Sequence, residues 1–139
     1  MANNWHVNPA FKRRLLALPK KVVKETNRAI EQNADEWVRV SRSMAPVDPT
    51  GGIHLQPSIR HYETETGGQV VRAGGEATTR PVKDGQSATF DYALAQEFGT
   101  QEMGANPFFW PAYRLLKKKF VSRRSRAMRK AIKENNDGK

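Results

Sequence analysis

Between residues 10 and 44, apolar or small side chains recur in steps of three and four. They are Phe11, Leu15, Leu18, Val22, Ala29, Trp37, Val40 and Met44, with Thr26 and Asn33 completing the row. A helix brings residues at that spacing onto one face, so the core of this chain has to be built against a long helix. Pro19 divides it into a short leading piece and a main helix over about 20–44, because proline has no amide for the intrahelical bond. The run MAPVDPTGG (44–52) ends it, since two prolines and two glycines do not continue a helix.

The middle of the chain changes period. Residues 53–65 read as an extended segment in which Ile59, His61 and Glu63 alternate with Arg60, Tyr62 and Thr64. Gly67-Gly68 suits a tight hairpin turn into QVVRA. Residues 74–88, GGEATTRPVKDGQSA, are expected to form either a long polar loop ordered by a partner or a ragged third strand.

The segment YALAQEFGTQEMGANPFFWPAYR (92–114) concentrates aromatic side chains around two prolines and two glycines. Asp91 is a good N-cap, YALAQEF spans about two turns, and Gly99 stands where a glycine ends a helix. A strand competes with that reading, because Phe90, Tyr92 and Leu94 also alternate. In the helix, Leu94 and Phe98 share a face. Asn106-Pro107 repeats the cap-plus-proline signal, and a long helix is expected from about Trp110 to Glu134. Its apolar stripe is Tyr113, Leu116, Phe120, Ala127 and Ala131.

That last helix carries the charge. The chain of 139 residues has a net charge of +10. Residues 1–42 hold 9 bases and 4 acids, 43–113 hold 4 bases and 8 acids, and 114–139 hold 11 bases and 2 acids. Such sorting implies an anionic partner, either nucleic acid or an acidic protein surface. The candidate contact residues are Lys117, Lys118, Lys119, Arg123, Arg124, Arg126, Arg129 and Lys130. A helix made only for solubility would mix in glutamates as i,i+4 partners, and none precedes Glu134 in this run.

Catalytic and metal chemistry find little support. The chain has no cysteine, which removes disulfides and thiolate metal sites. His61, Glu63 and Glu65 on one strand face are a weak metal motif. The glycine pairs match neither phosphate-loop pattern, and no nucleophile or zinc-protease signature is present. Glu97 is the carboxylate expected to be partly buried, held beside Phe98 and Tyr92 as a hydrogen-bonding anchor. No stretch approaches the roughly 18 apolar residues of a membrane span, and the N-terminus has no apolar run behind its charges.

Several motifs in order resemble a known family. They are APVD (45–48), Thr50-Gly51, LQPSI (55–59), Tyr92-Ala93, EFGT (97–100) and MGANPFFWPA (103–112). Over roughly residues 15–130 the chain resembles the minor tail or head–tail joining proteins of long-tailed bacteriophages, the family of the tenth gene product of a lambdoid coliphage. It departs from them at Pro49, which splits the usual DTG, in two extra residues before Leu55, and in its strongly basic last helix. The resemblance implies a non-enzymatic protein of the virion tail or neck, assembled in the host cytoplasm, that needs no cofactor. Such proteins form rings, often hexamers, which end the tail tube and meet the head connector around the DNA channel.

The fold expected is α+β: a long N-terminal helix packed on a small antiparallel sheet, with a basic C-terminal helix. One domain is expected over residues 1–139, with 1–9 and 135–139 flexible. Phe98, Phe108, Phe109, Trp110 and Tyr113 are the expected subunit or partner anchors, although Phe108 serves equally well as core. The alternative function is a small, sequence-blind DNA-binding protein that uses the basic helix.

Overall fold

The computed structural model describes residues 8–10, 19–49 and 54–137. Helix α1 is Lys20–Met44 and a single turn, α2, is Leu55–Ser58. Strands β1 (Arg60–Glu63) and β2 (Gln69–Arg72) form a hairpin. A 3-10 turn at Glu76–Thr78 leads into β3 (Thr79–Pro81), which pairs with β4 (Thr89–Asp91). Helix α3 (Tyr92–Phe98) and helix α4 (Phe109–Asp137) complete an α+β fold with two separate two-stranded antiparallel sheets.

Helix α1 begins where Pro19 requires. The Pro19 carbonyl accepts from the Val22 amide at 2.9 Å, and no glycine or proline interrupts the next 25 residues. The leading piece, with Phe11, Leu15 and Leu18, lies outside the described residues. So do Thr50-Gly51, Ile53 and most of the expected N-terminal tail.

Helix α1 runs antiparallel to α4. Trp37 Nε1 donates to the Phe109 carbonyl at 3.0 Å near one end of the pair, and Lys21 meets Glu134 at 3.3 Å near the other. Val22 and Ala29 are buried as the periodicity predicts, but Val40 is half-buried and Met44 exposed. Besides Glu36, which faces α4, the buried positions of the second half are Ala34, Val38, Ser41 and, just past the helix end, Ala45. They turn away from α4 toward α2 and the sheet, where the core gathers Val38, Ala45, Leu55, Ile59, Ala93 and Phe108. Being covered on two sides, α1 has two buried stripes, and one stripe of threes and fours describes only the first.

The extended reading of 53–65 holds only from Arg60 onward. Leu55–Ser58 is helical because Leu55 and Ile59, four apart, both enter the core, and Pro57 sits within a first turn that tolerates it. Arg42 fastens this turn to α1 by donating twice to the Ile59 carbonyl, at 3.0 and 2.7 Å.

The hairpin register pairs His61 with Val71 and Tyr62 with Val70. Gly67, at φ 82°, makes the reversal against the side chain of Asn27 on α1. Of the two readings of 74–88, the ragged strand is the one found. Gly75 and Thr78 donate to the Asp91 carboxylate at 3.1 and 2.6 Å, which ties the start of the segment to β4, while residues 82–88 form an exposed turn. A Cβ on Gly74, which has φ 89°, would come within 2.5 Å of Asp91 Oδ2.

Candidate interaction site

The aromatic segment is organised by Glu97. Asp91 caps α3 by accepting from the Ala93 amide at 2.9 Å, and Gly99 closes it at φ 76°. A helix rather than a strand therefore carries Glu97, on the side of α3 that faces the start of α4. There one Glu97 oxygen accepts from the Phe108 amide at 2.8 Å and the Phe109 amide at 3.0 Å. The other accepts from the Trp110 amide at 2.9 Å.

An α-helix begins with four amides that have no intrahelical partner. In α4 those are the amides of Phe108, Phe109 and Trp110, and the fourth position is Pro111, which has none. One carboxylate and one proline thus satisfy the whole helix start. The negative charge also faces the positive end of the helix dipole. The expected cap at Asn106-Pro107 is not used; Asn106 instead donates its amide to the Gln96 carbonyl at 2.7 Å. The helix starts at Phe109 and continues to Asp137, so residues 135–137 are helical.

The five expected anchors separate into two groups. Phe108 is 1% exposed and belongs to the chain's own core, so it is no protruding anchor. Phe109 and Tyr113 are half-buried against Trp37, with ring centroids 4.7 and 4.8 Å from it. Phe98 and Trp110 face outward, 66% and 42% exposed, together with Leu94 at 60%. They border an apolar groove of about 350 Å³ floored by Val71, Ala73, Phe108 and Phe109. Leu94 is the residue that sequence reasoning left out: its place on the Phe98 face was legible, but not the direction of that face.

The basic run also divides. Lys119 and Arg123 turn inward onto Glu36 of α1, at 2.5 and 2.7 Å, and Arg123 also donates to Asn33 Oδ1 at 2.8 Å. The single Glu36 carboxylate offsets one of their two charges; Arg123 is largely covered by the contact, at 22% side-chain exposure, while Lys119 stays 53% exposed. The reason for the inward turn is a buried carboxylate on the packed side of α1, which the periodicity of α4 alone does not reveal. The hydrogen bond from Lys119 holds the Glu36 carboxyl below its ordinary 4.5. Burial opposes that, and Arg123 adds to it. Lys117, Lys118, Arg124, Arg126, Arg129 and Lys130 are exposed, with Lys130 4.0 Å from Glu134.

His61 sits between two acceptors instead of facing solvent with Glu63 and Glu65. Nδ1 is 2.8 Å from Gln69 Oε1 and Nε2 is 2.7 Å from Asp35 Oδ1. Burial alone pulls its pKa down. The bonds to Gln69 and Asp35, with the charges of Asp35 and Glu31, outweigh that and raise it from 6.5. No cluster of three metal-ligating side chains occurs among the described residues, and none of their helices is long and apolar enough to cross a membrane.

No family model, curated protein or solved structure matches this chain.

Proposed function

We propose that the chain is a structural subunit of a long-tailed phage virion. It assembles with copies of itself as a ring, most simply a hexamer, at the head-proximal end of the tail. There it ends the tail tube, abuts the head connector and surrounds the DNA channel, with no catalytic step and no cofactor. The observation that carries this reading is the rigid apolar surface built from EFGT and PFFWPA. Glu97 clamps the start of α4, and the same junction holds Leu94, Phe98 and Trp110 outward around a groove. Large apolar side chains exposed on backbone that is held in place suit a protein–protein contact, since little backbone ordering entropy is lost on binding. The motif order 45–112 supports the same assignment by resemblance.

Sedimentation of the purified chain, followed by electron microscopy of tails completed with it, tests the proposal. A closed ring at the tail end is the expected outcome. Tails that mature and join heads equally well without the chain overturn it.

A second reading has its own observation. The exposed cations of α4 spread over about 240° of its circumference at 100° per residue, with no acid before Glu134. Such a surface binds DNA through phosphates without reading sequence. A monomer that coats DNA, and has no part in tail joining, would favour it.

A further inference from the structure

The outward face of α4 carries an apolar row that the core does not use. Val121, Met128 and Ile132 are 48%, 37% and 38% exposed, and the half-buried Ser125 stands between the first two. Their steps of four, three and four are those of a seam between two paired helices. At 100° per residue the four positions span about 60° of the circumference. That is narrower than the roughly 100° stripe with which a helix lies on a broad apolar phase, and it fits one facing helix.

Charge selects the kind of helix. Arg124 stands one residue before Ser125 and Arg129 one after Met128, the places from which side chains reach across a seam to the partner's own. Lys117 and Lys118 continue the two borders toward the helix start. A second copy of α4 cannot be the partner, because residues 114–133 hold ten bases and no acid, and like charges across a contact are costly. A second copy's α1 is no better, with six bases against four acids. Its α3 has seven residues, too few to cover the row. Phosphate contact explains the basic borders but not an apolar centre, which gains nothing from a DNA backbone.

We infer that the row Val121, Ser125, Met128 and Ile132 is a docking seam for an acidic amphipathic helix of a different protein. Apolar side chains of that helix fill the row, and its carboxylates meet Arg124 and Arg129. The row begins about 17 Å along α4 from Trp110. The contact is therefore independent of the ring proposed above, and either can fail without the other.

A designed helix serves as the probe. It is a four-heptad peptide with leucine along its seam and glutamate at both flanking positions, whose repulsion keeps it from pairing with itself at neutral pH. The unmodified full chain should bind it one to one. A seam variant with Val121→Gln and Met128→Gln keeps every charge and should bind at least about thirtyfold more weakly. Leu115→Gln removes a side chain that is 73% exposed on another side of α4 and should bind as the unmodified chain does. All three positions are exposed, so melting should be the same in both variants and the unmodified chain. The same peptide with lysine in place of glutamate should not bind. Absence of binding to the acidic peptide overturns the inference. So does equal binding by the seam variant, since the attraction is then one of charge alone. Duplex DNA that loses as much affinity for the seam variant as the peptide does gives the face to nucleic acid. Vesicles of anionic phospholipid that behave in this way give it to a membrane surface. Either result overturns the helical partner.

Discussion

Glu97 acts on three amides at once, and each contact is a charge-assisted hydrogen bond. Glu97→Ala leaves those amides without acceptors at a buried helix start. It should destabilise the fold by about 2–4 kcal/mol, the cost of a good cap plus buried donors left unpaired. Chemical denaturation measures this, and a loss under about 0.5 kcal/mol would mean that water replaces the carboxylate. Ser41 is the opposite case. Its hydroxyl is fully buried without a hydrogen-bond partner among the described residues. Ser41→Ala removes an unsatisfied polar group without changing the packing much, so it should raise stability by about 1 kcal/mol. The anchoring part of Glu97 was legible in the sequence, because an acid set among aromatic residues has few other uses. Its three partners were not, since they lie 11 to 13 residues further on and the intervening turn has to be built first.

Among the elements, those with local signals are the ones that sequence periodicity locates well. Pro19 and the Asp91/Gly99 pair set their helix ends through contacts within four residues. The second buried stripe of α1 was hidden, as was the inward turn of Lys119 and Arg123. Both depend on which elements flank the helix. Two of the charged contacts that join α1 to its neighbours respond to pH in opposite directions. Glu36 has a folded pKa below its unfolded value, so its link to α4 is complete above 4.5 and is lost as pH falls through the lowered value. His61 has a folded pKa above its unfolded value, so its link to the hairpin is complete below 6.5 and is lost as pH rises through the raised value. Melting temperature should therefore decline on both sides of a maximum between those limits. Glu36→Gln should flatten the acid side, and His61→Gln the side toward neutral and above. An unchanged acid limb in Glu36→Gln would assign acid sensitivity to other carboxylates.

For the whole molecule, core and surface aromatics should part company. Phe108→Ala empties a site that is 1% exposed and should cost about 3–5 kcal/mol. Trp110→Ala removes a ring that is 42% exposed but also touches Trp37, Phe109 and Tyr113, so it should lower melting clearly less than Phe108→Ala while impairing assembly. Equal loss of melting temperature in the two would make Trp110 a core residue. The charge test belongs to the exposed cations alone. Replacing Lys118, Arg124 and Arg129 by glutamine should flatten the salt dependence of DNA binding if phosphates are the partner. If instead an acidic protein surface is the partner, the same change should abolish assembly.

The clamp at the start of α4 also separates two properties that usually travel together, loop length and site geometry. The turn over residues 99–107 is held at its near end by Asp91 and Gly99 through α3, and at its far end by Glu97 itself. Gly104, midway, has nothing within 4 Å of where a side chain would begin. The turn is bonded on either side of Gly104, the Thr100 amide to the Met103 carbonyl at 2.8 Å and the Asn106 amide to the Gln96 carbonyl at 2.7 Å, and lengthening a loop costs only about 0.6 kcal/mol per doubling. Extra residues inserted beside Gly104 should therefore protrude into solvent while Phe98 and Trp110 keep their spacing. A fluorophore or affinity tag placed there would report on the neighbouring surface without entering it.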